Sequence, residues 1–256
     1  MRRDAFLNLL CQTTRCSFLA QEKNSALGML WHLLNPLAMS AVIYVVFSNI
    51  SFVSSGIKRY PLYILTGLIH FNFFTHATTH AAEGMLNSRS LVLNTTVPLE
   101  ILVLRSVCIE GLTYLIELAL IALLVAFLGG GLTLNLFYYV FILLGMCLLT
   151  IGAAFVIASL VVFLTDLTYI WGVFTRMLFF LTPIFYSAKM VENKWGSKLI
   201  QLNPLAQMVD LGRKCLLDGE PLALGEIGWA LIGPLVVLVF GWKVFQLTRS
   251  RIPDCI

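Results

Sequence analysis

The stretch TDLTYIWGVFTRMLFFLTPIFYS, residues 165–187, has the composition of a membrane span with a positive charge at its middle. Between Asp166 and Lys189 the single charged residue is Arg176, which apolar and aromatic residues flank on both sides. A charge at the centre of a bilayer costs about 2.5–3.5 kcal/mol on insertion scales, so it is usually kept for a partner or a function. The sequence therefore predicts that Arg176 either pairs with an acidic side chain or lines a path for a substrate.

The whole chain has the composition of a membrane protein. Of its 256 residues 59% are hydrophobic and 12% are charged, and its mean hydropathy is +0.89. Soluble domains carry roughly 25% charged residues, so these few charges cannot cover an aqueous surface. We expect an all-α polytopic protein with a single transmembrane domain over residues 1–256. The net charge of +4 comes without a dense basic patch and does not indicate nucleic-acid binding.

The charge-free runs predict six transmembrane helices, since a spanning helix needs about 20 mostly apolar residues. They cover residues 30–48, 60–82, 105–128 and 136–164, then the stretch from a turn at Asp166 to Tyr186, and finally 227–246. Six spans place both termini on one side, and the distribution of Lys and Arg favours the cytoplasmic side. Three segments lie outside the spans: an N-terminal amphipathic interfacial helix at 1–26, a cytoplasmic coupling segment at 84–104, and an outer segment of short re-entrant helices at 187–226.

Two glutamates interrupt the third predicted span. Glu110 and Glu117 are seven residues apart and share one face of a helix. Intramembrane carboxylates form proton relays or pair with cations. The sequence leaves both readings open, and it favours their being counter-ions of Arg105 or Arg176.

The second span carries a possible metal-binding pattern. His76, His80 and Glu83 lie on one helical face, and such side chains can bind a metal. A histidine-dependent membrane enzyme would need several such clusters, whereas the remaining histidines, His70 and His32, do not form a second one. The histidines therefore more readily indicate the polar lining of a wet path or the interfacial end of the span, and we predict no metal site.

The chain contains no motif for nucleotide or ester hydrolysis. A phosphate-binding loop of the GxxxxGK[ST] type and a GxSxG nucleophile elbow are both absent from the sequence. The sequence thus predicts a protein that is not an enzyme and that has no cofactor of its own. A transporter of this composition would take its energy from a partner.

The segment between the second and third spans is the best candidate for contact with such a partner. Its sequence, AAEGMLNSRSLVLNTTVPLEILVLRSV, is amphipathic and longer than a connection between two helices requires. We predict that it forms a helix that couples the chain to the partner. The residues predicted to take part are Glu83, Asn87, Arg89, Asn94, Pro98 and Glu100.

The aromatic residues around Arg176 predict a lined conduit. Aromatic faces provide apolar contact area and an arginine can bind carboxylate or phosphate, so together they suit a charged sugar-containing substrate. Tight packing of helices around one ion pair is the alternative. The residues predicted to line the path are Phe71, Phe74, Tyr169, Trp171, Phe174, Arg176, Phe179, Phe180 and Tyr186.

Four motifs in order resemble type 2 ABC exporter permeases. LGMLWHLLNPL (27–37) resembles their L-G-x-x-W-x-x-x-x-P entry to the first span, and LVLNTTVPLEILVLRSV (91–107) their coupling segment. Residues 165–187 resemble their fifth span with F-x-x-P-[IV]-x-Y, and NPLAQMVDLGRKCLLDGEP (203–221) their outer N-P-[LM]…R segment. The resemblance covers nearly the whole chain and is greatest to permeases that export O-antigen, capsular polysaccharide or teichoic acid. One departure is Thr165, where the family often has a basic residue.

This resemblance implies a homodimer of six-span subunits in the bacterial cytoplasmic membrane. It implies two copies of a separate cytoplasmic ATPase, which would bind ATP and Mg, and a lipid-linked polysaccharide as substrate. The segment 84–104 would receive the motion of the ATPase, and the fifth-span aromatics with Arg176 would face the channel. A drug or lipid exporter of the same architecture is the alternative, and a histidine-dependent membrane enzyme a remote one.

Overall fold

The computed structural model describes residues 3–22, 28, 30–48, 57, 59–88, 97–128, 134–191 and 194–252, and the regular structure in these residues is helical throughout. We number the α-helices in chain order. They are α1 (Arg3–Glu22), α2 (Leu30–Phe47), α3 (Tyr60–Asn87), α4 (Leu99–Phe127), α5 (Tyr139–Leu160), α6 (Leu167–Leu181), α7 (Lys194–Leu202), α8 (Pro204–Leu216) and α9 (Leu224–Thr248), with 3₁₀ turns at Leu134–Tyr138 and Ala188–Met190.

Four of these helical stretches are long and apolar enough to cross a membrane. They are Leu30–Phe47, Leu99–Phe127, Leu136–Leu160 and Leu224–Thr248. Each reaches the length of about 20 residues that the hydrocarbon core requires or comes close to it. The chain is therefore a multi-pass membrane protein, as its composition predicts.

Helix α3 is also long enough to span a membrane, but it is more polar than these four stretches. Its position at the centre of the bundle allows this polarity. Its 28 residues extend about 42 Å at 1.5 Å per residue. Its polar residues are satisfied internally: His70 is fully buried, with Nδ1 2.7 Å from the Thr66 carbonyl oxygen and Nε2 2.8 Å from the Tyr139 hydroxyl. Helices α4 and α5 both pack on α3 and also contact each other, and the three helices make the core.

Helices α5 and α9 form the closest helix pair and run parallel. Phe155 of α5 packs on Trp242 and Phe245 of α9. At their crossing Gly152 faces Gly241, and a Cβ atom on Gly241 would overlap the Gly152 carbonyl oxygen. Glycine lets two backbones approach this closely in a membrane.

Two boundaries differ from the sequence-based prediction. The coupling segment was expected over 84–104; α3 continues to Asn87 and α4 begins at Leu99, so the two ends of that range belong to these helices, while residues 89–96, on which the predicted coupling helix falls, lie outside the described residues. The fifth span was expected to end at Tyr186, but α6 has 15 residues and ends at Leu181. Thr182 is extended and Pro183 follows it, and a residue before proline is disfavoured in the helical conformation.

The described helices give the bundle two distinct ends. The first contains Tyr60, the turn at residues 182–186 and helix α8, and we call it the Arg213 end. The second contains the end of α3, the start of α4 and the end of α9, and we call it the Glu100 end. Residues of the candidate site make the hydrogen bonds at both ends.

Candidate transport path and coupling end

Helix α6 is fixed to α3 by aromatic contacts along one side. The Trp171 ring stacks on Phe174 with centroids 5.2 Å apart, and its Nε1 donates to the Thr78 hydroxyl at 3.2 Å. Phe179 meets Phe71 edge to face at 5.4 Å, and Phe74 lies 6.3 Å from Trp171. Thus the predicted path residues on α3 and α6 come together in the structure.

The opposite side of α6 is exposed, although it is apolar. No residue of α6 is fully buried, and the Tyr169 and Phe180 side chains are 79% and 64% exposed. Helix α2 has a similar exposed apolar face that includes Val42 and Val45. Such faces suit contact with lipid, with a second subunit or with the substrate itself. Tyr186 lies beyond the end of α6 and is partly buried, and its hydroxyl donates to the Phe180 carbonyl at 2.7 Å.

Arg176 lines a cavity of about 440 Å³ between α3 and α6. Its guanidinium has no ion pair with any acidic side chain in the part of the chain that the structure describes. The counter-ion proposed from the sequence, Glu110, is instead held by histidines. The Nδ1 atom of His80 lies 2.9 Å from Glu110 Oε1, and that of His76 lies 4.0 Å from Oε2. Glu117 is buried two turns further along α4.

The histidines of α3 lie beside a glutamate of α4. Among the described residues no group of three or more His, Cys, Asp or Glu side chains is arranged to hold a metal ion. His76 and His80 are adjacent, with ring centroids 6.1 Å apart, and both line the Arg176 cavity. Glu110 therefore lies within reach of both imidazole rings.

A second polar cavity, of about 410 Å³, lies beside the first at the Glu100 end. His80 and Glu110 line it together with Glu83, Asn87 and Arg105. Glu83 and Asn87 are exposed, as a contact surface requires. Two further residues of the predicted coupling segment, Arg89 and Asn94, lie outside the described residues.

Glu100 is placed differently from the other coupling candidates. It lies in the first turn of α4 just after Pro98, and its side chain is only 8% exposed. Its Oε1 atom is 2.6 Å from Nη1 of Arg249, the residue that follows α9, and its buried Oε2 has no hydrogen-bond partner in the described residues. This pair joins the start of α4 to the end of α9.

The Arg213 end is held by a buried arginine that the sequence prediction did not select. Arg213 is 3% exposed, and its guanidinium donates to the carbonyl oxygens of Pro183 at 2.6 Å, Ile184 at 2.7 Å and Tyr63 at 3.0 Å. It also stacks on the Tyr63 ring, with Cζ 3.5 Å from the centroid. The turn after α6 and the first turn of α3 are thereby fixed to α8.

Asn203 and Lys214 complete this end. Asn203 Oδ1 accepts from the Leu205 amide at 3.0 Å and so caps α8, while its Nδ2 donates to the Thr182 hydroxyl at 3.1 Å. Lys214 contacts both carboxylate oxygens of Glu226 at 2.8 and 2.9 Å, which raises the pKa of the ammonium. The N-P…R motif thus contacts the F-x-x-P-[IV]-x-Y motif. Arg213 is the arginine of the first motif, and this motif is the sequence signal that could have identified it.

Known membrane transport proteins are similar to this chain in sequence. The profile of the ABC-2 type transporter family matches residues 8–217. The O-antigen export system permease protein RfbA of Klebsiella pneumoniae is 25% identical over 248 residues, which are 96% of this chain and 94% of that protein. The protein of the same name from Myxococcus xanthus is 23% identical over 96% of this chain and 93% of its own length. The polysialic acid transport protein KpsM of Escherichia coli is 23% identical over 88% of this chain and 87% of its own length.

Proposed function

This chain belongs to the ABC-2 type transporter family, and on that premise we propose that it is the membrane-spanning subunit of an ATP-driven exporter of lipid-linked polysaccharide. The observation that carries the substrate class is the similarity to O-antigen export permeases over 96% of the chain. The subunit acts as a homodimer with six spans per copy, in the bacterial cytoplasmic membrane with both termini in the cytoplasm. In this scheme α3 and the short helix α6 complete the six spans.

The aromatic face of α6 supports a path that carries sugars. Its exposed rings, among them Tyr169, Phe174 and Phe180, offer flat apolar faces that slide past a chain of sugar rings without requiring one fixed register. The exposed apolar face of α2 supplies surface against which the second copy packs. Two copies of α6 then line one path, and each contributes an Arg176.

A partner ATPase supplies the energy, since the sequence contains no phosphate-binding loop. We expect affinity purification of the tagged chain from native membranes to recover a protein with an ATP-binding cassette in about equal amount. A tagged membrane protein of another family, purified in parallel, controls for non-specific capture. Recovery of the chain without any such ATPase, from membranes in which the ATPase gene is expressed, contradicts the partner assignment.

The Glu100–Arg249 pair provides a route for the motion of the ATPase. Glu100 follows directly on the segment that would contact the ATPase, and Arg249 follows α9, which packs along α5. A displacement of the start of α4 is therefore passed to α9 through a contact of 2.6 Å. This gives Glu100 a coupling role from inside the bundle, without direct contact with the ATPase.

Arg249→Gln is expected to lower the transport obtained per ATP hydrolysed. The change leaves the Glu100 carboxylate buried without its cation, so we expect the free energy of unfolding to fall by about 1–3 kcal/mol. This loss is smaller than for a fully buried ion pair because the Arg249 side chain is 45% exposed. The measurement compares ATPase rate and export rate in one reconstituted preparation. Arg251→Gln, two residues further along, is the matched control. Unchanged coupling in Arg249→Gln, with that in Arg251→Gln also unchanged, contradicts this role.

A further inference from the structure

Three side chains that can carry positive charge converge on one cavity in the bundle. Arg176 from α6 and His76 and His80 from α3 line the space of about 440 Å³. The remaining walls are apolar or carry hydroxyl groups. They are formed by Met39, Phe71, Thr75, Thr79, Thr175, Phe179 and Phe180. A cavity of this size holds a small charged group together with part of an apolar chain or a sugar ring.

The hydrogen bonds of this cluster leave donors available. The Glu110 carboxylate lies on the Nδ1 side of both rings. Its Oε1 is 2.9 Å from Nδ1 of His80, and its Oε2 is 4.0 Å from Nδ1 of His76. In the part of the chain that the structure describes, the Nε2 atoms of these two histidines make no hydrogen bond, and the Arg176 guanidinium makes none either. The histidine side chains are 49% and 45% exposed, so a ligand can reach them.

The charge balance of the cavity favours an anion. Glu110 is the one carboxylate near the two imidazoles, and it does not line this cavity. Arg176 adds a permanent positive charge, and no described acidic side chain lies within 4 Å to offset that charge. An arginine presents a planar fork of donors that matches phosphate oxygens. An imidazole ring whose Nδ1–H donates to Glu110 adds a donor at Nε2 when the ring is protonated to imidazolium. The apolar walls suit a hydrocarbon segment attached to that anion.

We propose that this cavity binds the phosphate or diphosphate group that links the polysaccharide to its lipid, with Arg176 as the main contact and His76 and His80, in their imidazolium form, as further donors. The inference rests on the proposed function, since it names the part of that substrate which the path recognises. Glu110 acts as a positioning residue that holds both rings. The binding of this group at the path would distinguish a lipid-linked glycan from a free one.

Binding of a short isoprenyl diphosphate tests the proposal. The full chain is purified with its ATPase and placed in nanodiscs of phosphatidylcholine, and binding of radiolabelled farnesyl diphosphate is measured, with farnesol and inorganic pyrophosphate as competitors. We expect farnesol to compete at least tenfold less well than unlabelled farnesyl diphosphate. Equal competition by farnesol would show a purely apolar site and overturn the proposal. Pyrophosphate competing as well as farnesyl diphosphate would also overturn the part of it that assigns a lipid-linked group.

The variants separate binding from folding. Arg176→Gln is expected to weaken farnesyl diphosphate binding about tenfold. The triple variant, which also carries His76→Gln and His80→Gln, is expected to weaken this binding further. Arg176 is exposed and makes no described ion pair, so its replacement leaves the fold intact. Arg176→Lys keeps the charge but loses the planar fork, and an intermediate affinity is expected. Lys243→Gln, an exposed cation on α9, is the matched control.

Wild-type affinity in both Arg176→Gln and the triple variant would overturn the inference. So would wild-type rates of glycan export in cells by a variant that no longer binds farnesyl diphosphate. A wild-type protein that binds farnesyl diphosphate through these residues but exports no glycan would overturn the proposed function alone. The two claims are therefore tested separately.

Discussion

Arg213→Met is expected to destabilise the protein more than any other single change of a charged residue in the described part of the chain. The guanidinium of Arg213 satisfies three backbone carbonyl oxygens at 2.6–3.0 Å, and the site is 3% exposed. Methionine fills a similar length but donates no hydrogen bond, so buried carbonyls of Tyr63, Pro183 and Ile184 lose their partner. Each unsatisfied buried group costs about 1–3 kcal/mol, and we expect a total of about 3–5 kcal/mol.

The measurement is the thermal unfolding midpoint of the detergent-purified chain, followed by size-exclusion chromatography after heating. Lys214→Met is the matched control, because Lys214 is the next residue of the same helix and pairs with Glu226 on a partly exposed surface. Pairs of that kind contribute about 0–1 kcal/mol. A midpoint for Arg213→Met equal to that for Lys214→Met would contradict the role assigned to Arg213.

Gly152→Leu is expected to prevent α5 and α9 from packing. A Cβ atom at Gly152 would lie 2.6 Å from the Leu238 amide nitrogen and 2.7 Å from its Cα, and these backbone atoms cannot move without separating the helices. Overpacking of a core side chain costs about 1–3 kcal/mol, and occasionally more. Because the obstacle here is backbone on both sides, we expect the upper end of that range or beyond, with little folded protein recovered.

Gly228→Leu in α9 provides the comparison for this prediction. A Cβ atom at Gly228 meets no atom within 4 Å, so the same substitution finds open space and improves helix propensity. The amount of monodisperse protein recovered from membranes reports the difference. Recovery of Gly152→Leu at the level of Gly228→Leu would contradict the close packing of the two helices.

The sequence predicted the helical membrane fold well because hydropathy depends on local composition. Residues 30–48 and 136–164 were assigned to spans, and helices lie at Leu30–Phe47 and Leu136–Leu160. The same reasoning gave a fifth span that was too long, because hydropathy counts the apolar residues of TPIFYS whether or not they are helical. Pro183 was the local signal for the earlier end of α6.

The contacts of the site were harder to predict because they join residues distant in sequence. Arg213 lies 150 residues from Tyr63, and Arg249 lies after the last described span while its partner Glu100 begins α4. The sequence indicates that Glu110 and Arg176 are charges that need partners. It does not indicate that Glu110 lies beside His76 and His80 of α3 instead of beside Arg176. The choice between candidate partners depends on helix rotation, which composition does not specify.

The resemblance to type 2 exporters is confirmed by the match to the ABC-2 type transporter family, and the structure gives two of its motifs a physical meaning. The proline-containing stretch after α6 makes a turn whose backbone oxygens need donors. The N-P…R segment supplies them through Arg213, and its Asn203 donates to the side-chain hydroxyl of Thr182. Motifs about 20 residues apart in sequence are therefore one structural unit.

Export of a lipid-linked glycan by this chain is tested most directly by where that glycan accumulates when the chain is removed. The gene is deleted in its native host, and glycan at the cell surface and glycan on the cytoplasmic side of the membrane are quantified separately. We expect loss of the surface glycan, accumulation of the lipid-linked form inside, and recovery when the intact chain is restored. Unchanged surface glycan in the deletion strain, without accumulation inside, would contradict the proposed export function.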